Sequence, residues 1–193
     1  MTDKKILIIT GSPRNDGNTA LLAGWFAQGA MSSGAEIETV KAGALKYKVP
    51  GCSSCRACQK LEKYECVIDD GAGPVLKRMA EVDAIVMATP LYFFSASAQI
   101  KVIFDRMFSL YKWDNGSGTM ETPLKGKTLA VLASAYEDVG FDALEKPFIL
   151  TAEYTGMKYK SLVIPNAGVS GDIVKLPGVR EKVVEFGKAV CKE

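Results

Sequence analysis

Alternation of strand-like and helix-like segments along the whole chain predicts an α/β fold, a parallel sheet covered by helices on both faces. Three observations carry this. Short apolar runs at 4–10, 83–90 and 126–135 lack the polar alternation of a half-exposed strand, as expected for strands buried on both faces. Segments of helical period separate the strands. With 48% hydrophobic residues in 193, the chain can build a sizeable core without disulfides.

The elements follow in order. "KKILIIT" (4–10) is a buried strand ended by Gly11. "NTALLAGWFAQGAMSSG" (18–34) is a helix, with Asn18 or Thr19 near its N-cap and Gly34 after its end. "AEIETVKA" (35–42) alternates and reads as a strand at a sheet edge. A helix over 72–82 has Asp69 or Asp70 available as a cap and Pro74 in its first turn. A strand over 83–90 precedes a helix over 95–111, with Ile100, Ile103, Phe104 and Met107 on one face. A strand over 126–135 leads to a helix over 141–156, where Pro147 sits near the start or kinks it. A last strand (157–165) and a last helix (177–192) complete the chain. Five strands and five helices at this length suit a flavodoxin-like doubly wound five-stranded parallel sheet, order 2-1-3-4-5, better than a longer dinucleotide fold. No repeat, low-complexity segment or linker interrupts 1–193, so one domain is expected. Long loops at 43–71, 112–125 and 135–141 are candidate functional segments.

Composition excludes several classes. A net charge of +2 supplies no strong field for nucleic acid. The apolar N-terminal run meets a turn at once, so it reads as neither signal peptide nor membrane span. A cytoplasmic, reducing compartment is the expectation, and clustered cysteines there point to metal or redox chemistry before disulfides. The chain has no histidine, which removes the commonest general base and a common zinc ligand together. Flavin chemistry needs no protein base of that kind, because the cofactor carries the reaction.

The first strand runs into "TGSPRNDGNT" (10–19) and then a helix. This is neither G-x-G-x-x-G nor G-x-x-x-x-G-K-[ST]. Thr10, Ser12, Arg14, Asn18 and Thr19 line a hydroxyl-rich loop that, with backbone N–H groups and a helix start, can hold one phosphate dianion. A polar turn capping a helix is the plainer alternative. In the 2-1-3-4-5 order a ligand belongs outside the carboxyl ends of strands one and three. The loop after strand three, "TPLYFFSAS" (89–97), places Pro90, Tyr92, Phe93 and Phe94 there, beside the phosphate loop. These aromatics could instead serve a core or an interface. "SAYEDVG" (134–140), after strand four, reaches the other edge of a flat ring.

"GSPRNDGNT" followed by "ATPLYFFSASAQIKVIFDR", with four cysteines between them, resembles the NADPH-dependent FMN reductase family, and within it the iron–sulfur flavoproteins. The resemblance covers nearly the whole chain. It implies FMN as cofactor: Ser12, Arg14, Asn18 and Thr19 at the phosphate, and Pro90, Leu91, Tyr92 and Phe93 with Ser134, Tyr136 and Glu137 at the isoalloxazine. It also implies a homodimer or homotetramer with the flavin near the interface. No catalytic side chain is expected.

The cysteines of "GCSSCRACQKLEKYEC" (51–66) are Cys52, Cys55, Cys58 and Cys66, spaced C-x2-C-x2-C-x7-C. Four-cysteine zinc sites usually use two separate knuckles, whereas here one tight loop offers three thiolates in succession. That suits three corners of an iron–sulfur cube, with Cys66 at the fourth. In the iron–sulfur flavoproteins a compact motif of this kind holds a [4Fe–4S] cluster. Zinc, or a cluster-free redox or structural role, are the competing assignments. Cys191, in the last helix, reads as a bystander. Asp69 and Asp70 read as helix caps, and Asp105–Arg106 as surface or interface.

The expected function is an FMN-dependent oxidoreductase that passes electrons between a [4Fe–4S] cluster and FMN, coupling a one-electron donor of ferredoxin type to a two-electron acceptor. One rival is an NAD(P)H-dependent reductase of FMN or quinones without a cluster. The other is a non-enzymatic flavodoxin-type electron carrier, which the four cysteines and the absence of strong acidity disfavour.

Overall fold

The computed structural model describes residues 4–114 and 116–192. The chain runs β1 (Lys5–Thr10), α1 (Asn18–Ser32), β2 (Glu36–Lys41), α2 (Ala72–Glu81), β3 (Ala84–Tyr92), β4 (Ser95–Ala96), α3 (Ala98–Arg106), β5 (Lys112–Asp114), β6 (Thr119–Glu121), β7 (Thr128–Ser134), α4 (Phe141–Thr155), β8 (Lys158–Ile164), α5 (Asp172–Lys175) and α6 (Val179–Cys191). The main sheet is parallel in the order β2-β1-β3-β7-β8, the flavodoxin-like 2-1-3-4-5 arrangement of the five long strands. The strand expected at an edge, β2, is one.

Alternation within β1 shows how the layers form. Ile6 and Ile8 face α1 and α6, packing with Leu22, Phe26, Val183 and Val190. Leu7 and Ile9 face α2, α3 and α4, packing with Leu76, Met79, Ile103 and Phe148. Both faces are covered, which is why the strand is apolar throughout.

Three expectations are corrected. The helix expected over 95–111 starts at Ala98, because Ser95 and Ala96 pair back antiparallel on β3 (Leu91 with Ala96, Tyr92 with Ser95). Ser97 caps the helix, its hydroxyl accepting from the Ile100 N–H at 3.4 Å, and beyond Arg106 the chain tightens into a 3-10 turn over Met107–Leu110. The loop expected over 112–125 contains the β5–β6 hairpin. The last helix begins after Gly178 instead of at Pro177, since Gly178 takes a left-handed φ of 73°. Among the described residues no helix is long and apolar enough to cross a membrane.

Candidate functional site

At the switch point between β1 and β3, Gly11 extends the ladder by donating its N–H to the Ala88 carbonyl at 2.8 Å. The chain then leaves the sheet, and the Ser12 hydroxyl accepts the Arg14 N–H at 3.1 Å, setting the turn. α1 starts after Gly17, which has no side chain to cap it, and its first turn carries no acid. Its leading N–H groups and positive dipole end are therefore open to an anion. The Thr19 hydroxyl, nearly buried, makes no hydrogen bond to protein among the described residues.

Asn18 has a different task from the one expected. Its amide donates to the Ala167 and Val169 carbonyls at 2.6 and 2.8 Å and accepts from the N–H groups of Gly171 and Ile173 at 3.0 and 3.4 Å. The side chain is committed to bracing the loop after β8 against α1, leaving only its backbone N–H for a phosphate.

β3 ends in a two-residue turn, Phe93–Phe94, with φ of 44° and 62°. Left-handed backbone at both central positions is the type I′ geometry that asparagine and glycine favour. A bulky aromatic held there carries strain on the order of 1–3 kcal/mol. Phe93 is 99% exposed, so no packing in the chain compensates it. Phe93→Asn should therefore raise stability by ~1 kcal/mol in urea unfolding; an unchanged or lower midpoint would show the tip to be unstrained. Phe94 rests on Gly140, where a Cβ would lie 2.2 Å from its ring. Tyr136 rests likewise on Gly168, where a Cβ would lie 2.0 Å from the ring. Sequence reasoning passed over Gly168 and met Gly140 only as the last residue of the 134–140 segment.

These loops enclose a cleft of about 260 Å³ lined by Ser12, Arg14, Asn18, Thr19, Pro90, Leu91, Tyr92, Ser134, Tyr136 and the backbone of the 167–168 turn. It shares Leu91, Ala135 and Tyr136 with a wider, more apolar trough of about 580 Å³, lined also by Phe93, Phe94, Glu137 and Val139. All eleven expected cofactor residues border this continuous trough. One end is polar with an open helix terminus; the other is a shallow aromatic platform. An elongated ligand with a phosphate at one end and a flat ring at the other matches both ends chemically.

The cysteine loop lies at the other end of α3. Ser97, at the start of α3, donates to the Gly11 carbonyl at 2.8 Å beside the cleft. The cysteine loop instead contacts residues 106–113. Gln59 donates to the Phe108 and Tyr111 carbonyls at 3.3 and 2.9 Å, and Lys112 donates to the Cys58 carbonyl. The nine residues of α3 rise ~13 Å along its axis, and that span separates the two regions.

Within the loop, Ser54 and Arg56 adopt left-handed φ of 56° and 55°, coiling the C-x2-C-x2-C run tightly. Cys52 and Cys55 are exposed, Cys58 is buried and Cys66 half-buried. Hydrogen bonds from the Ala57 backbone and then Ser53 lower the Cys55 thiol below the usual value. Burial raises that of Cys58, against a weaker opposing contact from Gln59 and the charge of Lys112. Among the described residues no three candidate ligands are gathered in a metal-binding geometry. The donor set itself, four thiols on one coiled loop, is of the kind that takes a thiolate-ligated group. Cys191 stands apart, its thiol directed to the Gly187 carbonyl at 3.3 Å.

Arg106 is the main residue that sequence reasoning misplaced. It is 1% exposed, not on the surface. Its Nη1 donates to both Asp70 oxygens at 2.7 and 2.8 Å, and its Nη2 donates to the Cys66 sulfur at 3.4 Å and the Ile68 carbonyl at 3.1 Å. The N-cap of α2 is Gly71, not an aspartate; Asp70, one residue before it, accepts the Ala72 N–H at 3.0 Å and is the partner of this buried cation.

Comparison with known proteins follows the same lines. The family model for NADPH-dependent FMN reductases matches residues 4–167. An iron–sulfur flavoprotein of Methanocaldococcus jannaschii is 35% identical over 102 residues, 53% of this chain and 51% of that protein. The provisionally named NAD(P)H-dependent FMN-containing oxidoreductase YwqN of Bacillus subtilis is 25% identical over 175 residues, 89% of this chain and 90% of its own. The aligned region spans about half the length of the iron–sulfur flavoproteins. Among solved structures, an NAD(P)H:quinone oxidoreductase from Methanothermobacter marburgensis superposes with a TM-score of 0.72 at 14% identity, over 100% of this chain and 99% of that one.

Proposed function

The chain belongs to the NADPH-dependent FMN reductase family, and on that premise we propose that it is an FMN-dependent oxidoreductase of iron–sulfur flavoprotein type. It passes electrons between a [4Fe–4S] cluster held by Cys52, Cys55, Cys58 and Cys66 and FMN held in the trough. The observation that carries the flavin part is the junction of an uncapped helix start with an aromatic trough at the switch point. The four-cysteine loop and the iron–sulfur flavoprotein relatives support the cluster.

Ser12, Thr19, Arg14 and the first N–H groups of α1 hold the phosphate. Pro90, Leu91 and Tyr92 on one side, and Tyr136 and Glu137 on the other, orient the ring and shield it from water. FMN supplies transfer of electrons singly or as a hydride, and the cluster supplies single electrons. The exposed aromatics Tyr92, Phe93, Phe94 and Tyr136 suit burial against a second subunit in a homodimer or homotetramer. The donor is a ferredoxin-type protein or NAD(P)H, in the cytoplasm.

The test is anaerobic production followed by iron, sulfide and flavin analysis. About four irons and one FMN per chain are expected. Cys52→Ser, Cys55→Ser, Cys58→Ser and Cys66→Ser should each lose iron and keep FMN, while Cys191→Ser keeps both. Stoichiometric zinc, or no metal after reconstitution with iron and sulfide, defeats the cluster reading. The full-length likeness to YwqN then favours a cluster-free NAD(P)H-dependent reductase of FMN or quinones.

A further inference from the structure

We propose that Arg106 is a positioning residue that sets the electron affinity of the group held by the cysteine loop, raising its reduction potential through the N–H···S bond to Cys66. The proposal rests on the cluster reading above, with Cys66 as a ligand.

Three observations place Arg106 in this role. It is a cation at 0% side-chain exposure, so water does not screen it. Its orientation is fixed: Nη1 is locked to both Asp70 oxygens, and the Lys48 and Ala72 N–H groups, at 3.0 Å each, fix that carboxylate in turn. This leaves Nη2 pointed at the Cys66 sulfur, 3.4 Å away. Thirdly, its Nε–H is buried with no acceptor among the described residues. Buried donors are rarely left in this way, and an electron-rich group seated in the loop would supply the acceptor.

An N–H donated to a ligating sulfur draws charge from it. The reduced form, carrying one more negative charge, gains more from that donor than the oxidised form does, so the potential rises. Asp70 balances the charge of Arg106 but bonds to its other nitrogen, while Nη2 meets the sulfur directly. The donor therefore outweighs the carboxylate at the ligand. Lysine could not substitute fully, because a single ammonium cannot span Asp70, Ile68 and Cys66 together.

The experiment uses the full chain reconstituted anaerobically with iron and sulfide, its midpoint potential read by electron paramagnetic resonance during redox titration. The variants are Arg106→Lys, which keeps the charge, and Arg106→Met combined with Asp70→Asn, which removes the pair without stranding a buried charge. Both should bind iron as the wild type does. The double variant should lose electron affinity about tenfold, which for one electron is a fall of about 59 mV, and Arg106→Lys should fall by less. An unchanged midpoint with full iron in the double variant overturns the proposal. So does a folded double variant that takes up no iron, because Arg106 would then assemble the site instead of tuning it. A wild-type chain that itself takes up no iron overturns the cluster reading, and this inference with it, a result distinct from the other two.

Discussion

Arg106→Met alone should destabilise the protein by ~3–5 kcal/mol, because it strands Asp70 as a buried charge without its cation. The Asp70 and Arg106 side chains are 1% and 0% exposed, so water cannot replace the lost partner. Adding Asp70→Asn should restore most of the loss, since a buried ion pair replaced as a unit is often close to neutral. The asparagine carbonyl can still accept one of the two N–H groups that Asp70 now serves. Urea unfolding of the four proteins makes a thermodynamic cycle. Additive losses would show that the two residues do not stabilise one another.

The same pair gives a pH signature. Burial alone would raise the Asp70 carboxyl, but the Lys48 N–H, the Arg106 guanidinium and the Ala72 N–H outweigh it and hold it below the usual carboxylate range. A carboxyl depressed in the folded state stabilises the protein fully above its unfolded value, near ~3.9, and the contribution is lost as pH falls through the folded value. The wild type should therefore shed stability below about pH 4. The Asp70→Asn, Arg106→Met variant should shed less there.

Arg106 also shows where sequence reasoning ends. The strand order, the switch point and the three loops that meet there follow from hydrophobic period and connection rules, local features that a sequence carries openly. Asp105 and Arg106 are neighbours in one helix and point about 100° apart, so a half-buried acid can sit beside a fully buried cation. Only the folded chain shows that Asp70, 36 residues earlier, fills the space in front of the arginine. Asn18 is the same case over a longer span: two of its partners lie 149 and 151 residues downstream. From sequence it is one more polar group in a phosphate loop. The β3–β4 hairpin was hidden for a different reason. Two paired residues are too few for a period, and Phe93–Phe94 is not turn chemistry that a sequence would announce.

Replacing Ser12 and Thr19 together with alanine should weaken FMN binding by ~3–6 kcal/mol, or about two to four decades, as two hydrogen bonds to a charged group are lost. Riboflavin, which lacks the phosphate, should lose little. The difference between the two ligands separates this role from a general one in shaping the cleft. Neither substitution strands a buried donor: the Ser12 oxygen only accepts from the Arg14 N–H, and the Thr19 hydroxyl makes no hydrogen bond to protein among the described residues. The fold should survive, because α1 is held by Leu22, Phe26 and Ala30 in the core and by the Asn18 brace, not by its first hydroxyl. Some FMN affinity should also survive, since the uncapped helix start and Arg14 remain to meet the dianion. Titration by flavin fluorescence quenching would read both affinities. Equal losses for FMN and riboflavin would move the phosphate away from this loop.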